Sequence, residues 1–209
     1  MQMQSNLRVE LGINHVLLMY VGNLETYQGV DLLLESFALT LKENKRVDLV
    51  IIGGEASDIQ KYKQQAKRLG ILENVHFFGP KPVDDLGLYL AQADIVVSPR
   101  VKGKNTPMKL YSYLHSGKAL LATDLPTHTQ VLNSQIAMLA TPNPQAFSQG
   151  MVHLIDDPDL RLKLGSTGKQ FIEQSHTYKV FCRKFNLLYD WLYAGLVEGA
   201  AGALSRSLV

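Results

Sequence analysis

Cysteine is almost absent from this chain. Cys182 is the single one, so no intrachain disulfide can form and no cysteine-ligated zinc site can be assembled. A reducing compartment suits such a chain, and Cys182 itself reads as a small buried hydrophobe. No apolar run approaches the roughly 20 residues that cross a bilayer. The opening MQMQSNLRVELG also lacks the apolar core of a secretion signal, so the expected location is the cytoplasm. Net charge is low, +2 at neutral pH, and neither a dense basic helix nor an aromatic RNA-binding motif is present, so no nucleic-acid partner is expected. The histidines at 15, 76, 115, 128, 153 and 176 have no metal-ligand spacing. A Walker loop, a dinucleotide fingerprint and a nucleophile-elbow serine are all missing. These absences argue against NAD chemistry, ATP hydrolysis and serine hydrolysis, and the expectation is that no metal and no cofactor is needed.

Acid is missing from one stretch in particular. Residues 95–123, IVVSPRVKGKNTPMKLYSYLHSGKALLAT, hold no Asp or Glu but do hold Arg100, Lys102, Lys104, Lys109 and Lys118. Positive charge gathered in one place points to an anionic ligand. Asn105 and Thr106 are good N-cap residues and Pro107 suits a first helical position, so a helix is expected to start at Pro107. The free amides of residues 105–108, Met108 included, would then offer a phosphate site at the helix N-terminus. Lys109 fits that reading, because a cation near a helix N-terminus is disfavoured by about 0.3–1 kcal/mol unless an anion is bound there. Lys109, Ser112 and Ser116 share one helical face, and Leu110, Tyr113 and Leu114 form the apolar stripe that faces the sheet.

The rest of the chain alternates. Apolar runs of strand length fall at 15–21, 47–52, 75–78, 95–98, 119–123 and 136–140, separated by segments with helical periodicity. Strands that are apolar throughout imply a parallel sheet buried on both faces. The predicted fold class is therefore α/β, a Rossmann-like doubly wound sheet of about six strands with helices on both faces. Helices fill the remainder, the last predicted over 178–193. Residues 1–14 read as a linker-like segment, 15–193 as the domain, and 194–209, rich in Ala, Gly and Ser, as a disordered tail.

Ligands of open parallel sheets bind beyond the carboxyl ends of the strands, which selects the loops that begin at Gly22, Gly53, Gly79, Pro99 and Asp124. Glu25 and Asp124 are candidates there for hydroxyl contacts. Among the histidines only His128 is placed near that cleft.

The segments YVGNLETYQGVDLLLESF, LVIIGGE, VHFFGP, LAQADIVVSP and LHSGKALLAT, in this order, resemble the C-terminal, donor-binding half of retaining glycosyltransferases of family 4, which have the GT-B fold (glycosyl transferases group 1). The resemblance covers residues 16–192. It implies that the chain binds a nucleoside-diphosphate sugar and that an N-terminal acceptor-binding domain is the missing partner. The long helix at 178–193 resembles the terminal helices that cross back to that domain. A lipid-linked acceptor would bring the complete enzyme to the inner face of the membrane.

Two departures from the family pattern bear on the site. The family usually has an Arg after the first loop's Gly and a Lys before its second Gly, both on the diphosphate; here Asn23 follows Gly22 and Gln28 stands in the second place. The family's paired glutamates align with Lys104 and Ser112, so Ser112 is left to reach a ribose hydroxyl. Charge is expected to have moved between loops, with Arg100, Lys102 and Lys109 neutralising the diphosphate. The 79–82 turn, with Lys81 nearby, would line the base pocket, and uracil is favoured because no acid stands in the turn to receive the N–H groups of guanine. The expectation is a metal-independent hexosyltransferase half that takes UDP-glucose and serves a polysaccharide or lipid-linked glycan acceptor, with no catalytic residue assignable. The alternative is a degenerate nucleotide-binding or scaffold domain without catalysis.

Overall fold

A computed structural model describes residues 6–206 of the chain. The described residues form two compact units, divided after Gln170. The first is built on six parallel strands: β1 (Val16–Val21), β2 (Val47–Ile52), β3 (Val75–Phe78), β4 (Ile95–Ser98), β5 (Ala119–Thr123) and β6 (Met138–Ala140). Their order across the sheet is β3-β2-β1-β4-β5-β6. Every described pair is parallel, with Val16 opposite Val47, Leu49 opposite Val75, Leu18 opposite Ile95, Ile95 opposite Ala119 and Leu121 opposite Met138. The order reverses between β1 and β4, where a ligand crevice opens in doubly wound sheets.

The helices are α1 (Leu7–Glu10), α2 (Val30–Glu43), α3 (Ala56–Arg68), α4 (Leu86–Leu90), α5 (Lys109–His115), α6 (Pro126–Thr129), α7 (Pro144–Asp156), α8 (Pro158–Ser175) and α9 (Tyr178–Arg206). Leu17, Leu18, Met19 and Tyr20 on β1 are fully buried, as are Ile95, Val96 and Val97 on β4. Burial of each such side chain stabilises the fold by roughly 1.5–3 kcal/mol. The alternation of strands and helices read from the sequence therefore holds, with the last strand shorter than the predicted run at 136–140. Helix α7 has the cap its sequence announces. Asn143 accepts a hydrogen bond from the Ala146 amide and Pro144 occupies the first turn.

Residues 7–10 were expected to belong to a linker-like segment, and they are instead fixed to the body. Leu7 is fully buried. The Arg8 guanidinium donates to the carbonyls of Gln92 and His15 at 2.9 and 3.0 Å and pairs with Asp94 at 2.5 Å. Residues 1–5 lie outside the described residues. In the second unit, helix α9 continues to Arg206 rather than ending at residue 193, in keeping with the high helix propensity of its Ala-rich end; residues 207–209 of the expected tail lie outside the described residues. A ladder of rings runs along α9. Tyr178, Phe181, Phe185 and Tyr189 have successive centroids 6.4, 5.6 and 4.6 Å apart. Among the described residues no helix is long and apolar enough to cross a membrane.

Candidate functional site: a basin of unpaired cations

Two loops at the carboxyl ends of β1 and β4 are pressed together. Gly29 has φ 77°, and a Cβ there would lie 1.9 Å from the Pro99 carbonyl oxygen, so only glycine fits. Next to it the Val101 amide donates to the Tyr27 carbonyl at 3.0 Å. Between these loops lies a cavity of about 560 Å³. The first loop lines it with Gly22, Asn23, Tyr27 and Gln28, and the second with Arg100, Lys102, Asn105, Pro107, Met108 and Lys109.

Arg100 is only 6% exposed. Its Nε donates to the Lys102 carbonyl at 2.7 Å, its Nη2 to Asn105 Oδ1 at 3.1 Å, and its guanidinium stacks over Tyr27 with 5.1 Å to the ring centre. Lys109 is half-buried as a residue, but its amine is enclosed. Nζ lies 4.1 Å from the centre of the Tyr20 ring and donates to Gln28 Oε1 at 3.1 Å. Burial, with a smaller contribution from the Arg100 charge, pushes its pKa down to about 7. Among the described residues no carboxylate lies within 4.0 Å of either cation. An enclosed charge without a partner is costly.

The helix beside the basin departs from its sequence expectation. Helix α5 begins at Lys109, two residues later than Pro107, and the side chains of the expected caps turn to other partners. The Asn105 side-chain oxygen accepts from Arg100, and the Thr106 hydroxyl donates to Gln130 Oε1 at 2.8 Å. Met108 occupies the N-cap position without a side-chain cap. A helix this short is no phosphate cradle, and what the basin offers to a ligand is its side chains.

Gly22, Asn23, Gln28, Arg100, Lys102, Asn105, Pro107, Met108 and Lys109 thus line one basin, and the remaining candidates lie outside it. Lys104 is exposed, and its carbonyl accepts from Gln130. Ser112 lines a separate cavity of about 440 Å³ with Leu86, His115 and Ser116. Lys81 lines a third, of about 420 Å³, that shares Val21, Gly22 and Asn23 with the basin. The acids missing from the 79–82 turn reach this third cavity from elsewhere: Glu25 from the first loop, and Glu55 and Asp58 from the start of α3. Asp124, exposed beyond β5, lines none of the three.

His128 has no direct access to the cleft, since it is fully buried. Its Nδ1 donates to the Thr123 carbonyl at 2.8 Å and its Nε2 accepts from the Ser98 hydroxyl at 2.9 Å. Burial pushes its pKa down to about 4, against the pull of the Thr123 carbonyl. The Thr123 hydroxyl in turn donates to the Arg100 carbonyl at 2.6 Å, so the neutral imidazole supports the loop that carries Arg100. Three tyrosines were missed by the sequence reading. Tyr27 and Tyr20 lie under the two cations, and the Tyr113 hydroxyl accepts from the Val21 amide at 2.7 Å and donates to the Val21 carbonyl at 3.0 Å. Their only sequence signal is position, since each stands in or beside an element that borders the cleft.

A family model for glycosyl transferases group 1 matches residues 4–171. Over 181 residues the chain is 22% identical to an uncharacterized glycosyltransferase of Methanocaldococcus jannaschii, a match that covers 86% of this chain and 46% of that protein. Among solved structures, HepE of Anabaena in complex with UDP-glucose superposes with a TM-score of 0.78 at 19% identity, covering 88% of this chain and 51% of the other. The C-terminal domain of a glycosyl transferase group 1 family protein (LpcC) of Francisella tularensis gives 0.72 at 19% identity, covering 85% of this chain and 95% of that domain. The chain therefore spans about half the length of the curated relative and of HepE.

Proposed function

The chain belongs to the glycosyl transferases group 1 family, and from that premise we propose that its basin binds the diphosphate of a nucleotide sugar, making this the donor-binding half of a hexosyltransferase. The observation that carries the proposal is the pair Arg100 and Lys109, enclosed at the topological switch point with no carboxylate within 4.0 Å among the described residues. A bound diphosphate supplies the missing charge. It also meets the cations where negative charge grows as the leaving group departs, so they stabilise the transition state as well as the bound donor.

The adjoining cavity suits the base. Lys81 can donate, Glu55 and Asp58 can accept, and Ile52, Val83 and Leu86 supply apolar wall. These acids can receive the N–H of uracil or those of guanine, and the choice of uracil rests on HepE, a neighbour in fold that is described in complex with UDP-glucose. We take UDP-glucose as the donor, a polysaccharide or lipid-linked glycan as the acceptor, retention as the stereochemical course, and side-chain cations rather than a metal as the counter-charge. An acceptor-binding domain would complete the enzyme at the cytoplasmic face of the membrane.

The test is calorimetric titration with UDP, UDP-glucose, GDP, GDP-mannose and ADP, each with and without magnesium. Tighter binding of one sugar nucleotide than of its bare diphosphate, unchanged by magnesium, is the expected result. Failure of all five to bind would favour a scaffold domain, to which the substitutions at Lys104 and Ser112 already point.

A further inference from the structure

The enclosed amine of Lys109 sits in surroundings that suit a neutral group better than a charged one. From β1, the Tyr20 ring lies beneath Nζ at 4.1 Å. From the first loop, Gln28 offers one oxygen at 3.1 Å, and the place where a Gly22 Cβ would stand is 3.0 Å away. From the second loop come Arg100 and Lys102, both cationic, which line the same basin together with Tyr27. Helix α6 contributes His128, which feels the Lys109 charge. None of these groups is an acid, and Arg100 repels a proton on Lys109.

We infer that a diphosphate entering the basin brings a proton with it to Lys109, so that binding of the donor and protonation of this amine are one coupled step. The inference rests on the donor-domain reading given above. The balance is simple: –NH2 with one solvent proton becomes –NH3+, and the ligand's phosphate oxygens then meet a third cation beside Arg100 and Lys102. The neighbours do not compete for this role near neutral pH. His128 is held neutral by burial, with its pKa pushed down to about 4, and burial raises Tyr20 well above its ordinary range. The free amine, with its pKa pushed down to about 7 by burial and Arg100, is the basin group poised to change state. An anion at hydrogen-bonding distance favours the charged amine and so outweighs both causes.

The experiment uses a sugar nucleotide, because its doubly esterified diphosphate has no titrating phosphate group near neutrality, unlike bare UDP. UDP-glucose, or whichever sugar nucleotide of the panel binds most tightly, is titrated at pH 7.5 in Tris and in HEPES, buffers of different ionisation enthalpy. Phosphate is avoided as a competitor. The apparent enthalpy should differ between buffers by an amount equal to an uptake of roughly half to one proton per site, and affinity should fall by about tenfold per pH unit between pH 7.5 and 9. In Lys109→Arg, whose guanidinium stays charged throughout, both effects should vanish. Heat that is independent of buffer, with affinity flat in pH, would overturn the coupling and leave the donor-domain reading standing. Uptake that persists in Lys109→Arg would assign the proton elsewhere and overturn it too. Absence of binding by every sugar nucleotide would sink the donor-domain reading, and the coupling with it.

Discussion

Asp48 and Lys109 are ionisable side chains enclosed at opposite ends of one parallel sheet, yet only Asp48 has its counter-charges beside it. Asp48 stands near the start of β2, buried, and it accepts from His76 Nε2 at 2.7 Å and from His15 Nε2. Burial works to raise its pKa, but the hydrogen bonds and charge of the two imidazoles outweigh that and hold the carboxyl below its usual range. Lys109, at the other end, has a ring, an amide oxygen and a second cation around it. The contrast separates two uses of buried charge. A charge whose partners belong to the chain contributes to folding, while one whose partner is absent waits for a ligand.

That contrast can be broken at four points. The largest effect is expected for Asp48→Ala, which leaves two imidazoles without an acceptor and should cost about 3–5 kcal/mol in urea unfolding while leaving sugar-nucleotide affinity within a factor of two or so. A loss of affinity as large as the loss of stability would show that the two ends are not independent. Next comes the double change Arg100→Ala with Lys102→Ala. It should weaken UDP-glucose by about a hundredfold, about 2.7 kcal/mol; unchanged affinity would remove the basin from the site.

Lys109→Met is expected to act in opposite directions on the two properties. With no enclosed amine to desolvate, the ligand-free protein should gain about 1–2 kcal/mol, seen as a rise of a few degrees in melting temperature, while losing diphosphate affinity. A fall in melting temperature would mean that the contacts with Gln28 and Tyr20 outweigh the desolvation of the amine.

The smallest effect is the dependence of stability on pH. The Asp48 carboxyl is depressed in the folded state, so its contribution is present above the unfolded value of about 3.9 and is lost as pH falls through the lower folded value. Lys109 is also depressed, from about 10.4 toward about 7, so between those values the unfolded chain holds more protons. Its contribution to stability therefore rises with pH across that interval. Asp48→Ala should flatten the acid limb of a melting curve series and Lys109→Met the alkaline limb; the reverse assignment would contradict both.

Much of the fold was legible because its signals are local and repeated. Short apolar runs, the first five closed by Gly, Pro or Asp and each followed by helical periodicity, leave a parallel doubly wound sheet as the natural solution. The basin was legible as a place, since Arg100, Lys102 and Lys109 stand in a stretch without acid. Its chemistry was less so. Asn105 and Thr106 read as caps, and only the fold shows that their side chains turn to Arg100 and Gln130. The resemblance placed Lys81 beside the base pocket and Ser112 at a ribose hydroxyl, and each of them lines a cavity other than the basin. Glu55 and Asp58 carry no signal in the turn itself, because the wall they supply follows β2, the neighbouring strand.

The close seating of Gly29 against the Pro99 carbonyl, with the Val101 to Tyr27 hydrogen bond beside it, makes the two loops share a single wall. An ammonium group can therefore reach the same point in space from either loop, as the Lys109 amine does when it meets Gln28. Which loop encodes that group becomes interchangeable. A residue can be lost from one segment and regained in another some 80 positions away, and the ligand would meet an unaltered surface.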